Sequence, residues 1–241
     1  NLLKNIQKKK LYSNKVKWIS SFKNLNKGPV LFVGNEFFDA IPIKQFKKKN
    51  GTLLENFVYL DKDKTIKNKL VKTSLKNINK INDFSCLKNL NFIEYPDLAF
   101  KTIKPMIDKI NKLGGGMLLV DYGYISLNNT RTLQSVINHK KNNLFSNLGK
   151  ADVTSLVNFK LLEEFFLKNN LSVNNIVSQS FFLKKNGILE RANTISSKMN
   201  FKEKSNLYYR LSRLLDPKLM GNLFKVIFAF KSNNKKIIGF N

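Results

Sequence analysis

The chain has 241 residues, the size of one α/β domain, and its 42% hydrophobic and 12% aromatic content supplies apolar surface for a real core, which excludes global disorder. Its longest apolar run lies around Met117–Val120, far short of the roughly 18 residues a membrane-spanning helix needs. The 43 Lys+Arg against 16 Asp+Glu give a formal net charge of +27, which either a polyanion-binding surface or AT-rich codon usage would produce; lysines scattered everywhere and only Arg131, Arg191, Arg210 and Arg213 favour the second, and so no specific nucleic-acid partner.

The chain opens on an amphipathic pattern, Leu2, Leu3, Ile6 and Leu11, which predicts a helix over 2–11. With Asn at position 1 and no signal-peptide core, this start reads as a piece cut from a larger protein. Val16–Ser20 alternates and predicts a short strand. After a turn at Asn24–Gly28, the apolar run Pro29–Val33 predicts a strand buried on both faces, as in a parallel sheet. Phe57–Leu60 and Phe92–Tyr95 predict short strands on either side of a polar Lys/Asn-rich stretch over 62–90. Asp97–Lys112 predicts a helix, ended by Gly114–Gly116, and Met117–Val120 a second buried strand. Residues 126–149 read as irregular. Val157–Asn170 and Asn193–Leu215 predict helices, Phe181–Leu183 and Leu189 bracket a turn at Asn186–Gly187, and Met220–Phe230 ends in a β-rich run. Helices alternating with strands indicate an α/β fold, a single domain over 1–241 with an added lobe over about 124–205.

Two strand ends carry the chemistry. Gly34-Asn35-Glu36-Phe37-Phe38-Asp39 places two carboxylates and a carboxamide directly after one buried strand, and Asp121-Tyr122-Gly123 comes directly after the other. The carboxyl ends of strands in an open α/β sheet form the ligand crevice, where such groups can bind a cation, orient a nucleophile or accept its proton. Asn35 and Asp39 could equally cap a following helix, and Asp121 could serve a turn. Asp152 with Thr154 reads as the cap of the next helix. His139, the single histidine, is either a general base or a solvated residue in its Lys/Asn-rich loop. One cysteine, Cys86, allows no internal disulfide and no Cys-based zinc site and fits a reducing compartment, and one histidine excludes a His-rich metal site. Neither a G-x-S-x-G elbow nor a Gly-rich phosphate loop occurs.

Asn35 through Phe46 resembles the NEFFDALPxxQF signature of the MidA-type methyltransferases, whose mitochondrial members are complex I assembly factors. Further blocks come in that family's order: Gly115–Gly123 (GGMLLVDYG), Thr132–Val136 with His139, Ala151–Thr154 with Val157 and Phe159, Gln179 to Arg191, Arg210-Leu211, Met220–Val226 and Gly239-Phe240. Leu156 and Asn158 depart from it, standing where the family has His and Asp. The resemblance implies a Rossmann-like core using S-adenosyl-L-methionine to methylate a protein arginine, on a complex I subunit in eukaryotes. It implies a cytoplasmic bacterial protein, or a mitochondrial-matrix one in a eukaryote, and a homodimer. It places the family's Gly-rich cofactor loop and ribose-binding acid upstream of residue 1. Carried over, Ser20 and Ser21 fall at the end of the third strand near the adenine, Asn35, Glu36 and Asp39 face the methyl donor and the incoming substrate, and Asp121 and Tyr122 complete the cofactor site. Two other readings keep the same residues: a non-catalytic assembly factor with a methyltransferase fold, and a basic RNA-binding or RNA-modifying protein. The methyltransferase reading requires Glu36 and Asp121 to meet in one pocket.

Overall fold

The computed structural model describes residues 2–11, 15–19, 21–138, 140–232 and 237–240. In chain order, α1 (Leu2–Lys10) is followed by β1 (Val30–Asn35), β2 (Lys44–Lys49), β3 (Thr52–Leu60), β4 (Ile66–Lys72), α2 (Leu75–Asn82), β5 (Phe92–Tyr95), α3 (Asp97–Leu113) and β6 (Gly115–Tyr124). Then come β7 (Gln134–Ile137), β8 (Lys140–Asn142), β9 (Asp152–Thr154), β10 (Val157–Asn158), α4 (Phe159–Lys168), β11 (Ser172–Val173), β12 (Val177–Ser178), α5 (Gln179–Lys185), α6 (Ile188–Ser196), α7 (Phe201–Leu215), α8 (Met220–Leu223) and β13 (Phe224–Lys231).

The main sheet runs β1-β6-β13-β11, with β10 also on β6 and β12 on β13. β1 and β6 are parallel, in register from Val30 opposite Gly115 to Asn35 opposite Val120, so their carboxyl ends finish side by side. β13 returns antiparallel against β6 over Phe224–Lys231. It is buried at Phe224, Val226, Ile227, Ala229 and Phe230, as a strand covered on both faces should be. α3 lays Ala99, Phe100, Ile103, Ile107 and Ile110 against the sheet at helical spacing, and α4 adds Phe159, Leu162 and Phe166. The Phe100 and Phe165 rings stack at 3.9 Å and join the two helices. Two smaller antiparallel sheets hang from this frame, β4-β3-β2-β5 and β8-β7-β9. The first shares the main core through Phe46, Leu53 and Ile93, while α6 and α7 form a separate cluster around Ala192, Leu211 and Leu215.

Several expectations change. Residues 16–19 form no strand, and Ser20 lies outside the described residues, as does His139. The polar 62–90 stretch contains β4 and α2, and 126–149 contains β7 and β8: tertiary pairing supplies order where composition signals none. Asp152 and Thr154 belong to strand β9, and the cap of α4 is Asn158, whose Oδ1 accepts from the Leu161 amide at 3.1 Å. The helix expected over 193–215 is two, α6 and α7, divided where Asn200 and Glu203 close a capping box. The turn expected at Asn186–Gly187 is present, and the segments it joins are the helices α5 and α6. β1 is not covered on both faces: Leu31 and Val33 are 63% and 67% exposed.

Candidate functional site

The β1–β6 ladder continues one residue past β1, the Glu36 amide donating to the Val120 carbonyl at 3.0 Å. Glu36 then takes φ +49, a left-handed conformation that non-glycine residues seldom adopt and that turns the chain sharply off the strand. Asp121 holds this turn. Its Oδ2 accepts the amides of Phe37 at 3.0 Å, Phe38 at 2.8 Å and Asp39 at 3.4 Å, and its Oδ1 accepts that of Tyr122 at 2.9 Å. Three converging backbone donors make an anion cradle of the turn, and the carboxylate that fills it comes from the neighbouring strand.

Above this clasp the remaining groups converge. Tyr122 donates its hydroxyl to Glu36 Oε2 at 3.4 Å, and Asn35 Nδ2 donates to Glu36 Oε1 at 3.3 Å. The Tyr122 ring packs edge-on against Phe224 at 4.8 Å, which fixes its direction. Asp39, 4% exposed, keeps one carboxylate oxygen buried without a hydrogen-bond partner, and its carbonyl is tied to the Ser155 amide at 3.0 Å. A buried carboxylate oxygen left open is costly unless a donor arrives from outside, so Asp39 is suited to a cationic ligand.

The electrostatics reflect this crowding. Burial, with the negative charge of Asp39 added, pushes the Asp121 pKa up to about 6 against the pull of the amides it accepts. Burial, then Asp39 and the neighbouring carboxylates, raises Tyr122 well above the ordinary tyrosine range, so its hydroxyl keeps its proton. Ion pairs of the described residues such as Lys44–Glu55 and Lys80–Asp97 lie elsewhere.

Asn35, Glu36, Asp39, Asp121 and Tyr122 thus lie at two adjacent strand ends, with Glu36 joined to Tyr122 and Asp121 joined to the amides of residues 37–39. Ser21 sits differently. It caps a short 3-10 turn at Phe22–Asn24, accepting from the Lys23 amide at 3.2 Å, and is not at a strand end. Sequence reasoning missed Ser155 and Glu94. The Glu94 carboxylate accepts from Gln45 Nε2 at 2.9 Å and from the Thr132 and Leu133 amides, pinning the 132–136 block beside the site; a lone Glu in a four-residue strand carries no local signal of this.

Known proteins share this frame. A family model described as "Putative S-adenosyl-L-methionine-dependent methyltransferase" matches residues 1–177. The Caenorhabditis elegans protein arginine methyltransferase NDUFAF7 homolog, mitochondrial, is 29% identical over 185 residues, covering 72% of this chain and 41% of the relative. Protein arginine methyltransferase NDUFAF7, mitochondrial, from Homo sapiens is 26% identical over 211 residues, covering 87% and 47%. The chain therefore spans about half the length of the curated relatives it matches. Among solved structures, a COG1565 superfamily protein from Burkholderia thailandensis superposes with a TM-score of 0.76 at 21% identity, over 94% of this chain and 59% of that one. A superfamily member from the same bacterium, bound to S-adenosyl-homocysteine, superposes with a TM-score of 0.74 at 19% identity, over 94% and 57%. With the strand-end acidic site on this α/β frame and a family match across 1–177, the chain belongs to the S-adenosyl-L-methionine-dependent methyltransferase family.

Proposed function

We propose that this chain forms the substrate side of a methyl-transfer site whose acceptor is the guanidinium of a protein arginine. The unpartnered, buried oxygen of Asp39, with the Glu36 carboxylate acting on the same Tyr122, carries this reading. A guanidinium offers planar paired N–H donors to such acceptors, and charge-assisted bonds in a half-buried site are strong and directional. In a chain of net charge +27, the Glu36 and Asp39 carboxylates close together at one strand end are a local exception suited to a cationic side chain.

S-adenosyl-L-methionine, when bound, supplies an electrophilic methyl group on a sulfonium. Asn35 and Tyr122, both bonded to Glu36, would face it, as the resemblance expects; Asp121, whose oxygens are taken up by backbone amides, would act beneath them by fixing the turn. Glu36 and Asp39 hold the guanidinium, align one nitrogen for attack and take the proton it releases. Methyl transfer draws most of its rate from such alignment. Support for arginine comes from the names of the relatives, and the resemblance extends it to a complex I subunit as the partner, a homodimer, and the matrix or bacterial cytoplasm as the compartment.

The test is Glu36→Gln, made in this chain and in the chain extended to its relatives' length, with transfer of labelled methyl to an arginine peptide measured beside calorimetry with S-adenosyl-L-methionine. Turnover should fall by at least about a hundredfold while cofactor affinity holds within about threefold. Unchanged turnover removes Glu36 from the mechanism.

A further inference from the structure

The β4-β3-β2-β5 sheet carries a polar ladder across all four strands on one face. Gln45 on β2 stands opposite Glu94 on β5, and its Nε2 donates to Glu94 Oε1 at 2.9 Å. Asn56 on β3 donates Nδ2 to Gln45 Oε1 at 3.0 Å and to Asn68 Oδ1 on β4 at 3.4 Å. Glu94 ends the ladder and also accepts from Thr132 and Leu133, while Asn129 Oδ1 accepts the amides of Asn91 at 2.8 Å and Phe92 at 3.5 Å. The 129–133 loop is thereby tied along β5 and walls this face of the sheet. Between loop and sheet lies an open trough of about 570 Å³, whose lining includes Phe92, Leu70, Lys47 and Arg131 beside the ladder. Lys47 and Arg131 are exposed, and among the described residues neither side chain makes an ion pair or a hydrogen bond. Arg131 is one of only four arginines in a chain that meets most needs for charge with lysine, and its planar fork matches a carboxylate. No carboxylate lines the trough.

We propose that this trough docks an acidic segment of the protein substrate, in extended conformation and close in sequence to the acceptor arginine; the assignment rests on the arginine reading of the site. Lys47 and Arg131 would take carboxylates, and Phe92 and Leu70 would carry the aliphatic parts between them. The trough and the site are joined by a short path. Arg131 precedes Thr132, whose Oγ accepts the Leu156 amide at 3.0 Å, and the amide of the neighbouring Ser155 donates to the Asp39 carbonyl at 3.0 Å. That path keeps Arg131 and Asp39 within roughly 20 Å, the span of about six extended residues. Charge of opposite sign at its two ends, Glu36 with Asp39 and Lys47 with Arg131, would fix the direction in which a substrate lies. A nucleic-acid strand fits less well, because Phe92 is the one aromatic ring in the lining and cannot stack successive bases.

Fluorescence anisotropy reads docking without turnover. The probes are fluorescein-labelled peptides with one arginine and a Glu-Asp-Glu run about four residues from it, on either side, with copies carrying Gln-Asn-Gln instead. The better acidic peptide should bind residues 1–241 at least about tenfold more tightly than its neutral copy at physiological ionic strength. Lys47→Gln with Arg131→Gln should bring the two within about twofold. Lys62→Gln with Lys69→Gln removes the same charge from the β3–β4 turn and the opposite face of β4, and should keep the preference. All four positions are exposed, so both double variants should melt within about 2 °C of the wild type. Replacing the peptide's arginine by glutamine, or Glu36→Gln in the chain, should leave the preference for acid intact, so failure at the trough is told apart from failure of the arginine reading. Equal loss in the two double variants overturns the proposal in favour of diffuse charge, and so does an acidic peptide that binds no better than its neutral copy. An oligouridine that binds with the same dependence on Lys47 and Arg131 overturns it in favour of a nucleic-acid strand.

Discussion

Asp121 is a buried aspartate that takes up a proton more readily in the folded chain than in the unfolded one, and this has a measurable sign. The residue is 2% exposed, and burial with Asp39 nearby lifts its pKa from 3.8 to about 6. The folded chain therefore binds this proton more tightly than the unfolded one. The associated stability is fully present below about pH 4 and is lost as pH rises through about 6, a change of about 3 kcal/mol. In Asp121→Asn the carboxamide oxygen can still accept from Phe37 and Phe38, but its NH2 faces the Tyr122 amide, at a cost of about 1–2 kcal/mol that does not vary with pH. Urea unfolding of both proteins at half-unit steps from pH 4 to 7 isolates the effect, because titrating groups away from Asp121 and its neighbour Asp39 cancel in the difference. The advantage of the wild type over Asp121→Asn should shrink by about 2.4 kcal/mol across that range. Parallel curves, or a wild type that gains on the variant as pH rises, would refute the account of Asp121 as a clasp strained by its own charge.

Two other outcomes rest on local geometry. At Gly123 an added Cβ would lie 2.1 Å from the Val157 carbonyl oxygen and 2.8 Å from the Phe159 ring, so Gly123→Ala should cost about 3 kcal/mol in urea unfolding by forcing β10 off β6; an unchanged midpoint would contradict that close approach. Burial, with the Glu164 carboxylate beside it, pushes the Cys86 thiol up to about 12, so at pH 8 iodoacetamide should alkylate it about a thousandfold more slowly than an ordinary cysteine; a rate near that of a free thiol would show the site to be open.

Much of the site was legible because its residues stand where apolar runs stop. Pro29–Val33 and Met117–Val120 read as strands, and the residues just past the carboxyl end of a strand in an α/β chain face the crevice, so Asn35, Glu36, Asp39, Asp121 and Tyr122 could be singled out before any coordinates. The helices α3 and α4 were legible for a similar reason, since their apolar spacing matches one buried face. β2 was hidden: Lys-Gln-Phe-Lys-Lys-Lys looks solvated, and only its pairing with β3 and β5 makes it a strand. The alternation beginning at Val16 misled for the opposite reason, as Val16–Ile19 finds no partner strand among the described residues.

By itself, then, the sequence determined the α/β class, the family and the positions of the acidic strand ends, because these depend on residue type and spacing along the chain. Tertiary structure alone decided that Asp121 commits its oxygens to backbone amides at the 37–39 turn, that Asp39 keeps one free, and that β1 is an uncovered edge. A continuous apolar run is the same string whether neighbours flank it or not. Only the arrangement of other elements around it settles which hydrogen bonds are made and which faces stay open.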